Sequence, residues 1–256
     1  MNQKTTLSLS TQGLGLQFGA FVAINEVNLL LEPGARHALI GPNGAGKTTL
    51  INLLTGVLRP TRGAIRLGEQ DITRLSCDQR ARLGLVRTFQ INSLFPSLTP
   101  LSSVVLAICE REGLAGQWWK RLRGMTRVYD EAHALLGQLK LEVLADTPVA
   151  ELAYGKQRLL EIALAMAARP RILLLDEPAA GVPAGESGEL FEVLGNLSGD
   201  ISILFIEHDM NLVFRFSRRI SVLVAGSVLA EGSPHEIVAH PRVRDASGSE
   251  ARMGSR

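Results

Sequence analysis

Residues 41–48 have the composition and spacing of a phosphate-binding loop. They read Gly41-Pro42-Asn43-Gly44-Ala45-Gly46-Lys47-Thr48, which satisfies the pattern G-x-x-x-x-G-K-[ST] in full. Glycines let backbone N–H groups turn inward around phosphates, and the N-terminus of the following helix adds a favourable dipole. Lys47 would supply charge at the β- and γ-phosphates, and the Thr48 hydroxyl would ligate Mg²⁺. The loop, together with Thr49, is therefore predicted to bind the phosphates of a nucleotide.

Two adjacent acids, Asp176 and Glu177, end an apolar run at residues 172–175. A buried central strand explains the apolar run, but it does not explain two carboxylates at the end where open α/β sheets bind ligands. Asp176 is placed to hold Mg²⁺, directly or through water, and Glu177 to polarise an attacking water as general base. The plain alternatives are a glycine-rich turn and a strand that ends in solvated acids. The occurrence of both motifs in one chain makes each alternative less favoured.

The elements that must position these motifs alternate in type along the chain. Strands are predicted at residues 7–10, 14–18, 27–31, 36–40, 64–67, 85–89, 172–175, 202–206 and 220–224. Helices are predicted at residues 47–55, 102–111, 128–139 and 155–168. This alternation indicates an α/β fold with a largely parallel sheet. Residues 91–165 are interpreted as an inserted α-helical subdomain, and residues 245–256, rich in Ser, Gly and charge, as a frayed tail.

Bulk properties argue against several classes of function. The chain has 27 Lys and Arg against 25 Asp and Glu, so no field of one sign favours nucleic acid or an anionic membrane surface. Cys77 and Cys109 match no metal-ligand spacing and suggest no disulfide framework, which fits a reducing compartment. No apolar run approaches the roughly 20 residues that cross a bilayer. Any role at a membrane is therefore expected to come through a partner.

Three further features narrow the class of nucleotide-binding protein. Gln90 follows the segment 85–89, residues 152–158 read LAYGKQR and open a predicted helix, and His208 follows the strand at 202–206. In this order the motifs resemble those of the ABC ATPases, and the resemblance covers the chain from about residue 7 to residue 244. It implies the P-loop NTPase fold of that family, with a mainly parallel central sheet, an antiparallel N-terminal β subdomain and the inserted α-helical subdomain. One domain at residues 5–244 is expected.

The resemblance also implies a role for each matching residue. Gln90 would touch the Mg²⁺ or the attacking water and sense the membrane partner, and His208 would contact the γ-phosphate. Ala153, Tyr154 and Gly155 would present backbone N–H groups to the γ-phosphate of ATP bound on a second subunit. The catalytic set would thus be Glu177, His208, Gln90 and Lys47.

Cofactors and partners follow from the same resemblance. The cofactors implied are ATP and Mg²⁺. Phe18 lies where the family places an aromatic ring that stacks on adenine, and a core aromatic is the plain alternative. The partners implied are transmembrane permease subunits, a second ATPase subunit in a homo- or heterodimer, and a solute-binding protein acting through the permease, with no nucleic acid. The implied location is the cytoplasmic face of the inner membrane.

The sequences of these motifs are most similar to those of the branched-chain amino-acid importer ATPases. The supporting phrases lie at residues 87–90, 152–155, 176–181 and 206–210. The ATPases of urea and short-chain amide importers share many of these motif residues. A soluble ABC ATPase without a transport role is less favoured, and so is a degenerate subunit that binds ATP without cleaving it.

Three positions depart from the wider family. Ala153 and Tyr154 stand where the common signature L-S-G-G-Q has a serine and a glycine, so contact with the γ-phosphate would depend on backbone donors around Gly155. Pro183 stands where most relatives have Asp or Asn. Proline fixes φ and offers no side-chain hydrogen bond, which bears on communication between the two ATP sites.

Overall fold

The structure, a computed structural model, describes residues 7–88, 94–114 and 121–243, with the backbone alone described for residues 121–124 and 184. The strands are Leu9–Phe18 (β1), Phe21–Val27 (β2), Leu30–Leu31 (β3), Arg36–Ile40 (β4), Arg62–Leu67 (β5), Gln70–Asp71 (β6), Leu85–Arg87 (β7), Ile172–Asp176 (β8), Ser202–Ile206 (β9), Arg219–Val224 (β10) and Ser227–Gly232 (β11). The helices are Lys47–Thr55 (α1), Cys77–Arg82 (α2), Pro100–Arg111 (α3), Arg121–Gln138 (α4), Tyr154–Ala167 (α5), Ala184–Gly195 (α6), Met210–Phe216 (α7) and Pro234–Ala239 (α8).

The central sheet has the strand order β11-β10-β4-β9-β8-β7. All pairs from β10 to β7 are parallel, and β11 pairs antiparallel with β10 at one edge. Strands β4, β8 and β9 are buried along their whole length, as expected for a parallel sheet covered on both faces. Leu173 and Leu175 pack with helices α3 to α6 in one core, whereas Leu174 packs with α1 and the N-terminal strands in another. The sheet therefore separates two hydrophobic cores.

The N-terminal strands form a second sheet that is antiparallel, with the order β2-β1-β5-β6 and with β3 paired to β1. Helices α3, α4 and α5 lie along the chain between β7 and β8. These features confirm the predicted ABC ATPase fold. The domain limits 5–244 stay a prediction, and residues 244–256 lie outside the described part of the chain.

Ion pairs and a hydrogen bond join α3 and α4 to each other and to the end of α5. The Glu131 carboxylate on α4 contacts Arg111 on α3 at 2.7 Å and Arg169, just after α5, at 2.8 Å. Arg111 also donates to the carbonyl oxygen of Ala167 at 2.5 Å. Hydrogen bonds from Arg111, and then from Arg169, lower the pKa of Glu131 to about 2. The insertion is thus connected by charge to the chain that enters β8.

The predicted elements agree with the structure except near the N-terminus. The strands expected at 7–10 and 14–18 form one strand, β1, which carries shifts of register against β2 between Leu14 and Gln17. The strand expected at 27–31 is wrong: Val27 ends β2 and Leu30 begins β3. Between them, the Thr11 hydroxyl accepts a hydrogen bond from Leu29 N at 2.9 Å and interrupts the regular ladder. Residue 89 lies outside the described chain, so the strand predicted at 85–89 is seen as β7, which ends at Arg87.

Within the described residues, no helix combines the length and the apolar character that a bilayer span requires.

A buried arginine anchors the far end of α1, the helix that begins at the phosphate loop. The guanidinium of Arg80 donates to the carbonyl oxygens of Leu53 and Leu54 at 2.6 and 2.7 Å, and to those of Thr73 and Leu75 at 2.9 and 3.1 Å. Arg80 is only 1% exposed. Carbonyl groups at a helix C-terminus lack partners within the helix. Leu53 O also accepts from Gly56 N at 3.2 Å, whereas Arg80 is the donor to Leu54 O among the described residues, and without it that buried carbonyl would lose its hydrogen bond.

We expect Arg80→Met to lower the free energy of unfolding by about 3 kcal/mol, because it leaves several buried carbonyl groups without a donor. Urea unfolding followed by circular dichroism measures the change. Arg82→Met is the matched control, since Arg82 is exposed on the same helix, and its effect should stay within about 0.5 kcal/mol. Equal effects of the two substitutions would contradict the anchoring role of Arg80.

Candidate functional site

The phosphate loop connects β4 to α1 at the carboxyl edge of the central sheet. Gly41 and Gly46 have φ angles of 149° and 100°. A Cβ atom at Gly41 would lie 2.0 Å from the carbonyl oxygen of Leu223, and one at Gly46 would lie 2.9 Å from that of Ala23. Because both obstacles are backbone atoms, these two positions require glycine.

Lys47 folds back over this loop. Its Nζ atom donates to the carbonyl oxygens of Gly41 and Pro42 at 2.7 and 2.9 Å. Helix α1 begins at Lys47, and Gly46 at its N-cap has no side chain to occupy the first N–H groups. Thr48 is exposed in the first turn, and Thr49 is half-buried. An open helix N-terminus beside a lysine can bind phosphate groups.

Asp176, the last residue of β8, forms a buried ion pair with Arg87 of β7. The distance from Arg87 Nη2 to Asp176 Oδ2 is 2.6 Å, and the Asp176 side chain is fully buried. Its other oxygen, Oδ1, is buried and makes no hydrogen bond within the described residues. Burial raises the pKa of Asp176, and Arg87 opposes that rise. A carboxylate oxygen left in this state can serve as a ligand to a cation.

Glu177 and His208 meet at the ends of β8 and β9. His208 Nε2 lies 2.8 Å from Glu177 Oε1, and both side chains are partly exposed. Glu177 has φ 50°, an uncommon value for a residue other than glycine, and its backbone N–H donates to the carbonyl oxygen of Ile206 at 3.1 Å. The predicted base and the predicted γ-phosphate contact therefore lie within hydrogen-bond distance of each other.

Glu207 is a buried acid that contacts the backbone on both sides of the pair formed by Glu177 and His208. Its carboxylate accepts hydrogen bonds from the backbone N–H groups of Ala179, at 2.9 Å, and His208, at 3.1 Å. Burial raises the pKa of Glu207, and the two N–H groups oppose that rise. Glu207 thus connects the turn after Glu177 with the residue that presents the imidazole.

Phe18 lies at the end of β1 and faces Phe21 across the tight turn to β2. Both rings are largely exposed, at 53% for Phe18 and 66% for Phe21. An exposed ring is available for stacking, so Phe18 is not a core aromatic. Phe21 was not identified from the sequence.

The signature residues contact the segment after Glu177. Gly155 N donates to Glu186 Oε2 at 3.2 Å, while Ala153, at the N-cap of α5, makes no side-chain hydrogen bond. The Tyr154 hydroxyl accepts a hydrogen bond from Arg158 Nη2 at 2.8 Å. The Tyr154 ring also lies against Gly181, where an added Cβ would be 3.1 Å from it.

The structure brings most of the predicted site to one edge of the sheet. In the strand register, Leu39 of β4 and Asp176 of β8 both lie level with Ile206 of β9. A cavity of about 550 Å³ opens there, and its lining includes Asn43 and His208. Gln90 lies outside the described residues, so its position stays a prediction.

Three charged residues that the sequence did not assign to contacts are part of this region: Arg87, Glu186 and Glu207. The available signal for Arg87 and Glu207 was a charge at the end of an apolar strand, which needs a buried partner. For Glu186 the sequence offers no comparable signal.

The sequence and the fold of this chain were compared with those of known proteins. The family described as "ABC transporter" matches residues 24–180, and the one described as "Branched-chain amino acid ATP-binding cassette transporter" matches residues 227–246. The high-affinity branched-chain amino acid transport ATP-binding protein LivG of Escherichia coli K12 is 43% identical over 250 residues, which cover 95% of this chain and 98% of LivG.

The solved structures with a similar fold are also ATP-binding cassettes. The ADP conformation of an ATP-binding cassette from an ABC transporter matches with a TM-score of 0.82 and 30% identity, covering 95% of this chain and 99% of that one. A dimeric cassette in a post-hydrolysis state, bound to ADP and Pi, matches with a TM-score of 0.72 and 25% identity, covering 88% and 98%. The phosphate loop, the acidic strand end and the histidine beside it all lie within the matched length. The chain therefore belongs to the ABC transporter family, as an ATP-binding subunit that hydrolyses ATP.

Proposed function

We propose that this chain supplies the energy for uptake of branched-chain amino acids. LivG is named for transport of these amino acids, and so is the second family that matches, at residues 227–246. In this proposal permease subunits select and conduct the solute, with a solute-binding protein acting through them. The chain acts at the cytoplasmic face of the inner membrane, held there by the permease.

The contact between Glu177 and His208 carries the catalytic part of the proposal. Glu177 acts as general base on the attacking water, and His208, 2.8 Å from it, contacts the γ-phosphate. Lys47 neutralises charge on the β- and γ-phosphates, and the loop from Gly41 to Thr49 holds them through backbone N–H groups. Gln90 completes the catalytic set from the segment after β7.

Magnesium is the proposed second cofactor, and the described residues fit it. Asp176 Oδ1 is buried and has no hydrogen-bond partner among the described residues, and Thr48 offers an exposed hydroxyl in the first turn of α1. Across the described ranges, no three His, Cys, Asp or Glu side chains gather into a metal-binding cluster. Mg²⁺ suits such a site, because it takes few protein ligands and keeps phosphate oxygens and waters. When bound, it would neutralise charge on the phosphates.

The proposed active form is a dimer, either of two such chains or of this chain with a related cassette. The signature residues Ala153, Tyr154 and Gly155 would approach the γ-phosphate bound on the other subunit. Because Ala153 has no hydroxyl, the contact would come from backbone N–H groups. The dimeric relative bound to ADP and Pi supports this arrangement.

The proposal predicts that Glu177→Gln lowers kcat for ATP hydrolysis by roughly 100-fold or more, because the amide cannot accept a proton. Nucleotide affinity should be retained, and ATP should convert the variant to a dimer that gel filtration detects. Glu69→Gln is the control, since Glu69 is exposed in the turn between β5 and β6. Normal turnover in the Glu177 variant would refute its assignment as base.

The adenine contact is tested by two substitutions on the same hairpin. Phe18→Ala should weaken ATP binding roughly tenfold, because stacking of a base on an aromatic ring is worth about 1–3 kcal/mol. Phe21→Ala removes a ring of similar exposure and should change the affinity less than twofold. Titration with a fluorescent ATP analogue measures both. The reverse order of effects would assign stacking to Phe21 instead.

The proposed solute is tested in proteoliposomes that contain the complete transporter. We expect ATP-dependent accumulation of labelled leucine, isoleucine and valine, and no accumulation when the complex carries Glu177→Gln. Urea and acetamide are the comparison solutes, because the motifs of this chain are also similar to those of importers of such amides. Accumulation of urea without leucine would overturn the amino-acid assignment and leave the ATPase assignment intact.

A further inference from the structure

Arg87 joins three parts of the candidate site through one planar group. It ends β7, three positions before Gln90 in the phrase Arg87-Thr88-Phe89-Gln90. Its Nη2 atom donates to Asp176 Oδ2 at 2.6 Å, and its Nη1 atom donates to Asn52 Oδ1 at 2.5 Å. Asn52 lies on α1, the helix that begins at the phosphate loop. The guanidinium therefore connects the strand before Gln90, the acidic strand end and the phosphate-binding helix.

The ion pair between Arg87 and Asp176 is largely buried. The Arg87 side chain is 12% exposed, and the Asp176 side chain is fully buried. A buried ion pair depends on good geometry, and removal of one partner leaves an uncompensated charge. Arginine suits the position because its rigid fork can serve two acceptors at once, whereas lysine presents a single compact charge.

The two oxygens of Asp176 are in different states. Oδ2 is held by Arg87, while Oδ1 is buried and makes no hydrogen bond within the described residues. A carboxylate that lost its contact at Oδ2 would be free to rotate about its Cβ–Cγ bond, and either oxygen could then face the cation. The contact with Arg87 fixes which oxygen is presented.

We propose that Arg87 is a positioning residue of the magnesium site. It holds Asp176 by Oδ2, braces that contact against Asn52, and so would keep Oδ1 available as a ligand oxygen for a cation. This inference rests on the proposed function, because it concerns the Mg²⁺ that accompanies ATP there.

The experiment measures how much Mg²⁺ tightens nucleotide binding, apart from catalysis. The Kd of a fluorescent, non-hydrolysable ATP analogue is determined with Mg²⁺ and with EDTA, and the ratio of the two values is the magnesium gain. Arg87→Met should reduce this gain about tenfold while the Kd in EDTA changes less than twofold. Arg87→Lys should give an intermediate loss, because it keeps the charge but loses the link to Asn52.

Two further variants complete the test. Asn52→Ala removes the brace without touching the ion pair, and it should reduce the magnesium gain about threefold. Arg82→Met is the control for loss of an arginine elsewhere, since this side chain is exposed on α2, and it should leave both Kd values unchanged. Thermal unfolding identifies variants that fail to fold. If Arg87→Met is among them, Arg87→Lys and Asn52→Ala decide the question.

The outcomes separate this inference from the proposed function. An unchanged magnesium gain in Arg87→Met, or in both Arg87→Lys and Asn52→Ala, would overturn the role of Arg87. Equal weakening of binding with and without Mg²⁺ would also overturn it, because the effect would then be a general loss of the nucleotide site. If the unsubstituted protein bound no nucleotide, or showed no magnesium gain, the proposed function itself would fail.

Discussion

Parallel hydrogen bonding of β4, β8 and β9 is the constraint on which the candidate site depends. Parallel strands end at the same edge of a sheet, and their register places Leu39, Asp176 and Ile206 at one level. The loops that follow these strands therefore begin side by side. One becomes the phosphate loop, one carries Glu177, and one carries His208. The interiors of β8 and β9 are apolar and buried on both faces, so the polar groups of these two strands lie where the strands begin or end.

Negative charge is concentrated at this edge. Asp176 and Glu207 are buried there, burial raises the pKa of each, and the charge of nearby Glu177 raises both further. The opposing contributions are local: Arg87 for Asp176, and two backbone N–H groups for Glu207. Lys47 is near enough to lower the pKa of Asp176. A divalent cation bound at this position would reduce the repulsion among the acids. This is consistent with Asp176 Oδ1, which has no donor in the part of the chain that the structure describes.

The residues that carry chemistry were accessible from the sequence because they occur at fixed spacings beside recognisable strands. Asp176, Glu177 and His208 lie at or just after the end of an apolar run, and Lys47 closes the glycine-rich loop after another. The structure places all four at one edge of the sheet. Contacts between distant segments were not accessible in this way. The pairing of Arg87 with Asp176 and Asn52 depends on strand order, which local pattern does not specify. The error at residues 27–31 has a similar origin, since the Thr11 hydroxyl that interrupts the ladder lies on another strand.

Pro183, which replaces the Asp or Asn of most relatives, is well suited to its position at the start of α6. Its φ of −55° is natural for proline, and its carbonyl oxygen accepts hydrogen bonds from Glu186 N and Ser187 N as α6 begins. Proline thus starts the helix that directs Glu186 to Gly155 N. In the proposed dimer, that N–H group would also face the γ-phosphate bound on the other subunit. One N–H cannot serve two anions equally, so arrival of the phosphate would compete with Glu186. Because α6 follows the loop that carries Glu177, this competition would, in the proposed dimer, link the two ATP sites without a side-chain hydrogen bond at position 183.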